Sequence, residues 1–255
     1  MNKELKELLD EKYYKYAVSD FINDDPIQIP KKFTQKEDIE IAGFLSASIA
    51  WGNRKSIIKN ATKLIELMDE SPYDFISNFN EKDLSVFNDF KHRTFNGIDT
   101  KFFMKSIQNI YQKHKGLENV FLQGFNKDKT IKSAISHFRK VFFEIDFPAR
   151  TSKHIANVDK KSAAKRINMF LRWMVRKDHV DFGIWHLPKS TLMLPLDVHT
   201  GNVSRAIGLL NRKQNDWQAV EEITKKLREF DSNDPIKYDF ALFGMGNDKS
   251  LNKDY

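Results

Sequence analysis

The segment Glu40 to Trp51, EIAGFLSASIAW, is apolar around nearly its whole circumference, with only Ser and Ala to relieve it. A helix with that pattern has no face to give to water, so it belongs at the centre of a bundle. The rest of the chain must then supply the surrounding layer. Helix-period segments stand at roughly 2–18, 36–51, 54–69, 100–113, 130–143, 163–177, 198–211, 216–229 and 235–245. Three carry start signals: Thr34 before the segment from Glu37 to Trp51, Asp216 before Trp217, and Asp234-Pro235, which reads as an N-cap followed by proline at the first helical position. There is no alternating strand of useful length and no fixed-period repeat, so the expected fold class is all-α. Residues 79–96 and 178–194 look irregular. Neither reads as a clean linker, so if the molecule has two lobes, the chain crosses between them more than once.

With 255 residues, 40% hydrophobic and 21 Phe, there is material for a sizeable core. The absence of cysteine excludes a disulfide framework, a thiolate zinc site, an iron–sulfur cluster and thiol catalysis. None of the seven His residues falls in a metal-binding pattern such as H-E-x-x-H, so no metal and no cofactor are expected. The most apolar run is too short and too serine-containing to span a bilayer, and the first residues, MNKELKELLDEKYYK, are charged throughout. These features read as a cytoplasmic protein without a membrane partner.

Net charge is +7, and its distribution is uneven. Between Arg150 and Lys177 stand nine basic residues (Arg150, Lys153, Lys160, Lys161, Lys165, Arg166, Arg172, Arg176, Lys177) against one acidic, Asp159. That window alone carries +8, so the remaining 227 residues sum to −1. Concentration of this kind is the footprint expected of a phosphate-binding segment. Within it, SAAKRINMFLRWMVRK has an apolar stripe at Ala163, Ile167, Phe170, Leu171 and Met174. At ~100° per residue, Lys165, Arg172 and Arg176 share another face, a cationic rail along one helix. Ser162 is the expected N-cap, and a capping box would place Glu or Gln at position 165. Lysine stands there instead, at the positive end of the helix dipole, where the neutral and nucleophilic form of an amine is favoured. A solvated surface lysine is the plainer alternative.

In LPLDVHTGNVSRAIGLL, Leu194 to Leu210, Pro195 sets an extended entry and Asp197 can cap the helix that follows. An N-cap carboxylate held by backbone N–H groups also suits stabilisation of an oxocarbenium-like transition state. Both roles place it identically. His199 is a candidate base or supporting donor. Trp51, at the break before Gly52, is a core anchor or a stacking residue, and Asn53 and Arg54 open the next helix.

These residues are similar to motifs of the helix-hairpin-helix DNA glycosylase superfamily, the group of endonuclease III, the adenine glycosylase acting opposite oxidised guanine, and the archaeal 8-oxoguanine glycosylase. PLDVHTGNVSRAIGL resembles the V-D-x-H-x-x-R-V segment and implies a catalytic aspartate at Asp197. KRINMFLRWM resembles the helix after the hairpin and implies a Schiff-base lysine at Lys165. GFLSASIAW resembles the L-L-S-x-Q-x-x-D helix along the cleft, with the wedge glutamine replaced around Ser48. The interval from Lys165 to Asp197 is most similar to the archaeal 8-oxoguanine branch. More closely, the runs DDPIQIP, AGFLSASIAWGNRKS, HRTF, KRINMFLRWMVR, LPLDVHTGNVSRAIGLL and DPIKYDFALFGMG look like a bacterial family of unknown function. The glycine hairpin G-x-G is absent, its place taken by VDKKSAA from Val158 to Ala164.

The resemblance implies one compact unit of two interleaved lobes, about 1–50 with 200–255, and a helical barrel of about 54–198 with the hairpin near 155–177. It implies a monomer on damaged duplex DNA in the nucleoid, acting as a glycosylase with AP lyase activity on an oxidised purine. Lys160, Lys161, Ser162, Arg166, Arg172 and Arg176 would hold phosphates, and Trp51, Asn53, Arg54, Trp173 and His199 would line or support the base pocket. Two other readings stay open: a non-catalytic DNA- or RNA-binding module of the same fold, and a helical protein whose basic helix docks on an acidic partner.

Overall fold

The computed structural model describes residues 2–247, and they are predominantly helical. Eleven α-helices are present among them: α1 (Lys3–Tyr16), α2 (Lys36–Ser48), α3 (Arg54–Glu66), α4 (Pro72–Asn78), α5 (Gly97–His114), α6 (Leu117–Asp128), α7 (Ile131–Phe142), α8 (Lys165–Val175), α9 (Val198–Ala206), α10 (Trp217–Phe230) and α11 (Tyr238–Asn247). A two-residue antiparallel pair, β1 (Lys91–His92) with β2 (Phe95–Asn96), and several 3-10 turns complete the described chain. The contacts divide it into two units: residues 22–157, and residues 1–21 with 158–255. These bounds depart from the sequence-based lobes. Residues 22–50 group with the middle of the chain, and 158–198 group with its two ends.

In the 22–157 unit, every residue of α2 from Ile39 to Ser48 is buried, as its all-round apolarity requires. The one carboxylate on that stretch, Glu40, is satisfied by the Tyr111 hydroxyl at 2.6 Å and by Lys36. Phe44 of α2 packs among Phe103, Phe138 and Phe142, with ring centroids 5.4–5.9 Å apart. Each such ring contributes ~2 kcal/mol by leaving water. Helix α6, absent from the sequence reading, crosses α7 at Gly124, where a Cβ would stand 2.6 Å from Cβ of His137. The glycine that weakens the helical pattern is thus what allows the close crossing. Helix α4 was also missed. Its seven residues are too few for a periodic signal.

In the other unit, α1 packs on α11, and the ring of Tyr16 lies directly on Gly244, a place where no side chain fits. Its core holds Trp173, Phe170, Tyr238 and Phe240. Asp216 caps α10 as expected, accepting from Ala219 N at 3.1 Å. One other start signal is corrected. Gln35, and not Thr34, occupies the N-cap position of α2. Asp234 does stand at the N-cap position with Pro235 opening the turn that follows, a 3-10 turn, but its side chain makes no cap hydrogen bond, and both its oxygens accept from Arg176, at 2.8 and 3.0 Å. No helix among the described residues is long and apolar enough to cross a membrane.

Candidate active site

The turn from Val158 to Ala164 sets the start of α8. Val158 is buried and anchors it, while Lys160 and Lys161 are exposed. Lys161 (φ 64°) and Ala164 (φ 49°) are left-handed, the conformation that glycine would supply without strain. The turn is stapled to the start of α10: Trp217 N donates to the Lys161 carbonyl at 3.0 Å, and Ser162 pairs with Asp216 through a backbone bridge. Arg212 holds the Asp216 carboxylate, first by hydrogen bonding, and brings it down to about 2.

Ser162 does not cap α8. Its hydroxyl accepts from Ala164 N at 3.3 Å, and the left-handed Ala164 takes the N-cap position without a side-chain bond. Buried Asn168 reaches back to the Ala163 carbonyl at 3.1 Å and fixes the turn from inside. Lys165 is therefore the first residue of the helix, in a first turn with no acidic residue.

Asp197 is the N-cap of α9. One carboxylate oxygen, Oδ1, accepts from Thr200 N at 2.9 Å, and the other, Oδ2, faces Lys165 Nζ at 3.8 Å. The cap bond orients the carboxylate and leaves one oxygen for the lysine. The carbonyl of Asp197 accepts in addition from the Asn215 side chain at 3.1 Å, which is itself held by Arg205 at 2.6 Å. The two side chains are 30% and 24% exposed, so an external molecule can reach both. A separation of 3.8 Å is an ion pair but longer than a hydrogen bond. The pair thus brings together residues 32 positions apart, each at the start of its own helix.

The cationic rail is not a surface. Arg172 and Arg176 are 4% and 1% exposed, and carboxylates surround them. Arg172 donates to Asp181 at 3.3 Å and to Asp239, and Arg176 donates to Asp178 at 2.8 Å, to Asp181 and to Asp234. Both guanidinium groups also stack on Phe240, with centroid distances of 4.3 and 5.6 Å. A buried guanidinium is tolerated because it is paired and hydrogen-bonded, and this leaves it nothing to offer a phosphate. Arg166 is partly buried, and burial pushes its guanidinium down to about 10. Trp173 is fully buried, its indole N–H without a hydrogen-bond partner, so it is a core residue and offers no face to a base. His199 is exposed and lines a mainly apolar cavity of about 690 Å³ with Leu8, Val203 and Met245.

Trp51, Asn53 and Arg54 lie in the other unit. Trp51 is half-buried, stacked on His154 at 5.9 Å and edge-on to His92 at 5.0 Å, and its carbonyl faces His92 Nε2 at 3.1 Å. Asn53 caps α3, accepting from Ser56 N at 3.2 Å, and Arg54 is exposed in the first turn. Among the described residues no group of three or more His, Asp or Glu could hold a metal ion.

Fold and site define a helical protein of two units with a lysine–aspartate pair at two convergent helix starts. The chain belongs to the family whose model is described as "Protein of unknown function (DUF2400)", which matches residues 25–248. No curated protein and no solved structure matches it.

Proposed function

We propose that this protein is a DNA base-excision glycosylase with AP lyase activity, acting as a monomer on a damaged, oxidised purine in duplex DNA of the nucleoid. The observation that carries the reading is the pair itself: Lys165 Nζ at 3.8 Å from Asp197 Oδ2, both accessible, with one oxygen of Asp197 already fixed by the cap. The helix-hairpin-helix likeness of the flanking motifs supplies the reaction class. An extruded nucleotide would bring C1′ to the lysine. The amine lone pair forms the N–C1′ bond while the glycosidic bond breaks, its electron pair leaving with the base, which takes up a proton. The nitrogen loses its own proton to the Asp197 carboxylate or to water. Opening of the sugar ring gives the imine, and loss of a C2′ proton expels the 3′ phosphate. Asp197 stabilises positive charge on the sugar throughout. Lys160 and Lys161 on the turn are the exposed cations placed to meet the backbone phosphate.

Borohydride trapping on 8-oxoguanine and abasic duplexes tests this directly. Lys165→Gln is expected to abolish the covalent complex and retain DNA binding, and Asp197→Asn to slow base release by 10²-fold or so. Strand cleavage by Lys165→Gln at the wild-type rate would remove this lysine as nucleophile. A wild-type protein that binds DNA but traps and cuts nothing across a lesion panel would instead be the non-catalytic module.

A further inference from the structure

Lys165 and Asp197 do not hold themselves together. An ion pair at 3.8 Å between partly exposed side chains gains little against solvent screening and side-chain entropy. Their separation is set by what fixes the two backbones, and one short stretch between α9 and α10 touches both.

Asn215, Asp216 and Trp217 are consecutive and reach in two directions. Toward α9, Asn215 Nδ2 donates to the Asp197 carbonyl at 3.1 Å, the same oxygen that accepts from Gly201 N at 2.9 Å. Toward α8, Trp217 N donates to the Lys161 carbonyl at 3.0 Å and Asp216 pairs with Ser162, so the turn that starts α8 hangs on the two residues after Asn215. The stretch is braced from within. Arg205 donates to Asn215 Oδ1 at 2.6 Å and to the Arg212 carbonyl at 2.8 Å, Arg212 donates to Asp216 at 2.7 Å, and Trp217 is buried. With Oδ1 held by Arg205, the NH2 group of Asn215 is the one left for Asp197. Gly201, one turn after Asp197, lies against this amide: a Cβ there would stand 2.7 Å from Asn215 Oδ1 and 3.0 Å from Nδ2. The glycine is what lets the amide reach the start of α9.

We propose that residues 215–217 form a clasp across the Lys165–Asp197 pair and that Asn215 is its positioning residue: by holding the Asp197 carbonyl it sets where the carboxylate stands relative to Lys165 Nζ. The catalytic part of this rests on the pair being the reactive one. Asn215 donates to a backbone carbonyl and takes no part in bond making.

Two substitutions break the clasp differently. Asn215→Asp keeps the acceptor for Arg205 and the size of the side chain but removes the donor to Asp197. Gly201→Ala leaves Asn215 in place and pushes its amide aside. One readout is the single-turnover rate of borohydride trapping on saturating abasic duplex, measured beside DNA affinity. The other needs no DNA: the chain has no cysteine, so Lys165→Cys with Asp197→Cys introduces its only two thiols, and their bridging by dibromobimane reports the separation of the two positions. Each substitution is expected to lower the trapping rate by about tenfold or more at unchanged affinity, and to slow bridging in the dithiol background. In an Asn215→Ala background, where there is no amide to displace, Gly201→Ala should have no further effect, a non-additivity that general loosening of the fold does not produce. Asn215→Ala also repeats the loss should Asn215→Asp not fold. Trapping at the wild-type rate with bridging unmoved overturns the clasp and leaves the reaction intact, and additive effects at 201 and 215 overturn the clasp as well. Slower bridging in the variants of a protein that traps nothing overturns the reaction and leaves the clasp standing.

Discussion

The two ends of α8 carry the same kind of side chain and use it in opposite ways. At the start, Lys160 and Lys161 stand in solvent and Lys165 shares an accessible site with Asp197. At the end, Arg172 and Arg176 are enclosed by Asp178, Asp181, Asp234 and Asp239. With Asp99 on Arg150 and Asp197 beside Lys165, carboxylates from outside the basic window sit on four of its cations. Charge concentrated along a sequence is therefore not charge concentrated on a surface. What separates the two ends is which residues the chain brings back to them: α11 and the segment after α8 return acids to one end, whereas the turn at the other is met by the start of α10.

The largest effect that could break this contrast concerns stability. Arg176→Ala would take the guanidinium from Asp178, leave Asp181 to Arg172 alone and leave Asp234 to Lys189 at 3.6 Å, and the loss of one partner from a buried ion network costs ~3–5 kcal/mol. Urea denaturation should register that loss. A surface rail would respond differently: stability within about 0.5 kcal/mol of wild type and a lower DNA affinity. The second result would mean that Arg176 is not enclosed as described.

Much of this was legible, and the failures have a common cause. The central burial of α2, the Asp197 cap and the placement of Lys165 in an acid-free first turn all follow from residues within one or two helical turns of each other. The fate of Arg172 and Arg176 depends on Asp234 and Asp239, some sixty positions away, and local spacing carries no information about them. Spacing did give the correct face of α8 and the wrong environment for it. Asp234 occupies the N-cap position that its sequence offers, but the partner of its oxygens, Arg176, was hidden for the same reason. Asp239 drew no attention within DPIKYDF, although five aspartates at 178, 181, 231, 234 and 239 beside a basic helix are the signal that could have found it.

A smaller effect sharpens the other side of the comparison. If phosphate is met at the start of α8, reversing Lys160 and Lys161 to Glu should lower DNA affinity by about tenfold or more and reduce the log–log salt slope by about two, because each lost phosphate contact removes ~0.9. Thermal stability should barely change, since both residues are exposed. Filter binding across a salt series measures both quantities together. An unchanged slope would take the turn out of the interface and leave the exposed cations of the 22–157 unit, Arg54 among them, as the place to look.

The smallest effect tests why this turn is held in shape without glycine. Lys161 and Ala164 are both left-handed, a conformation that costs a non-glycine residue about 1–2 kcal/mol. Glycine relieves that strain and loses ~0.5–1 kcal/mol to the entropy of the unfolded chain. At Lys161 the side chain is exposed and contributes little packing, so Lys161→Gly should stabilise the protein by up to about 1 kcal/mol. At Ala164 the methyl is buried, at 3% exposure, and its loss forfeits ~0.8 kcal/mol of apolar burial, so Ala164→Gly should come out near neutral. Paired denaturation curves read the difference between the two positions. Equal effects would mean that strain is not what distinguishes them, and that the staple through Trp217 and Asp216 alone dictates the turn. If the difference appears as expected, the lysine at 161 is retained against a measurable stability cost, which is the behaviour of a residue kept for its charge at the mouth of the Lys165 site.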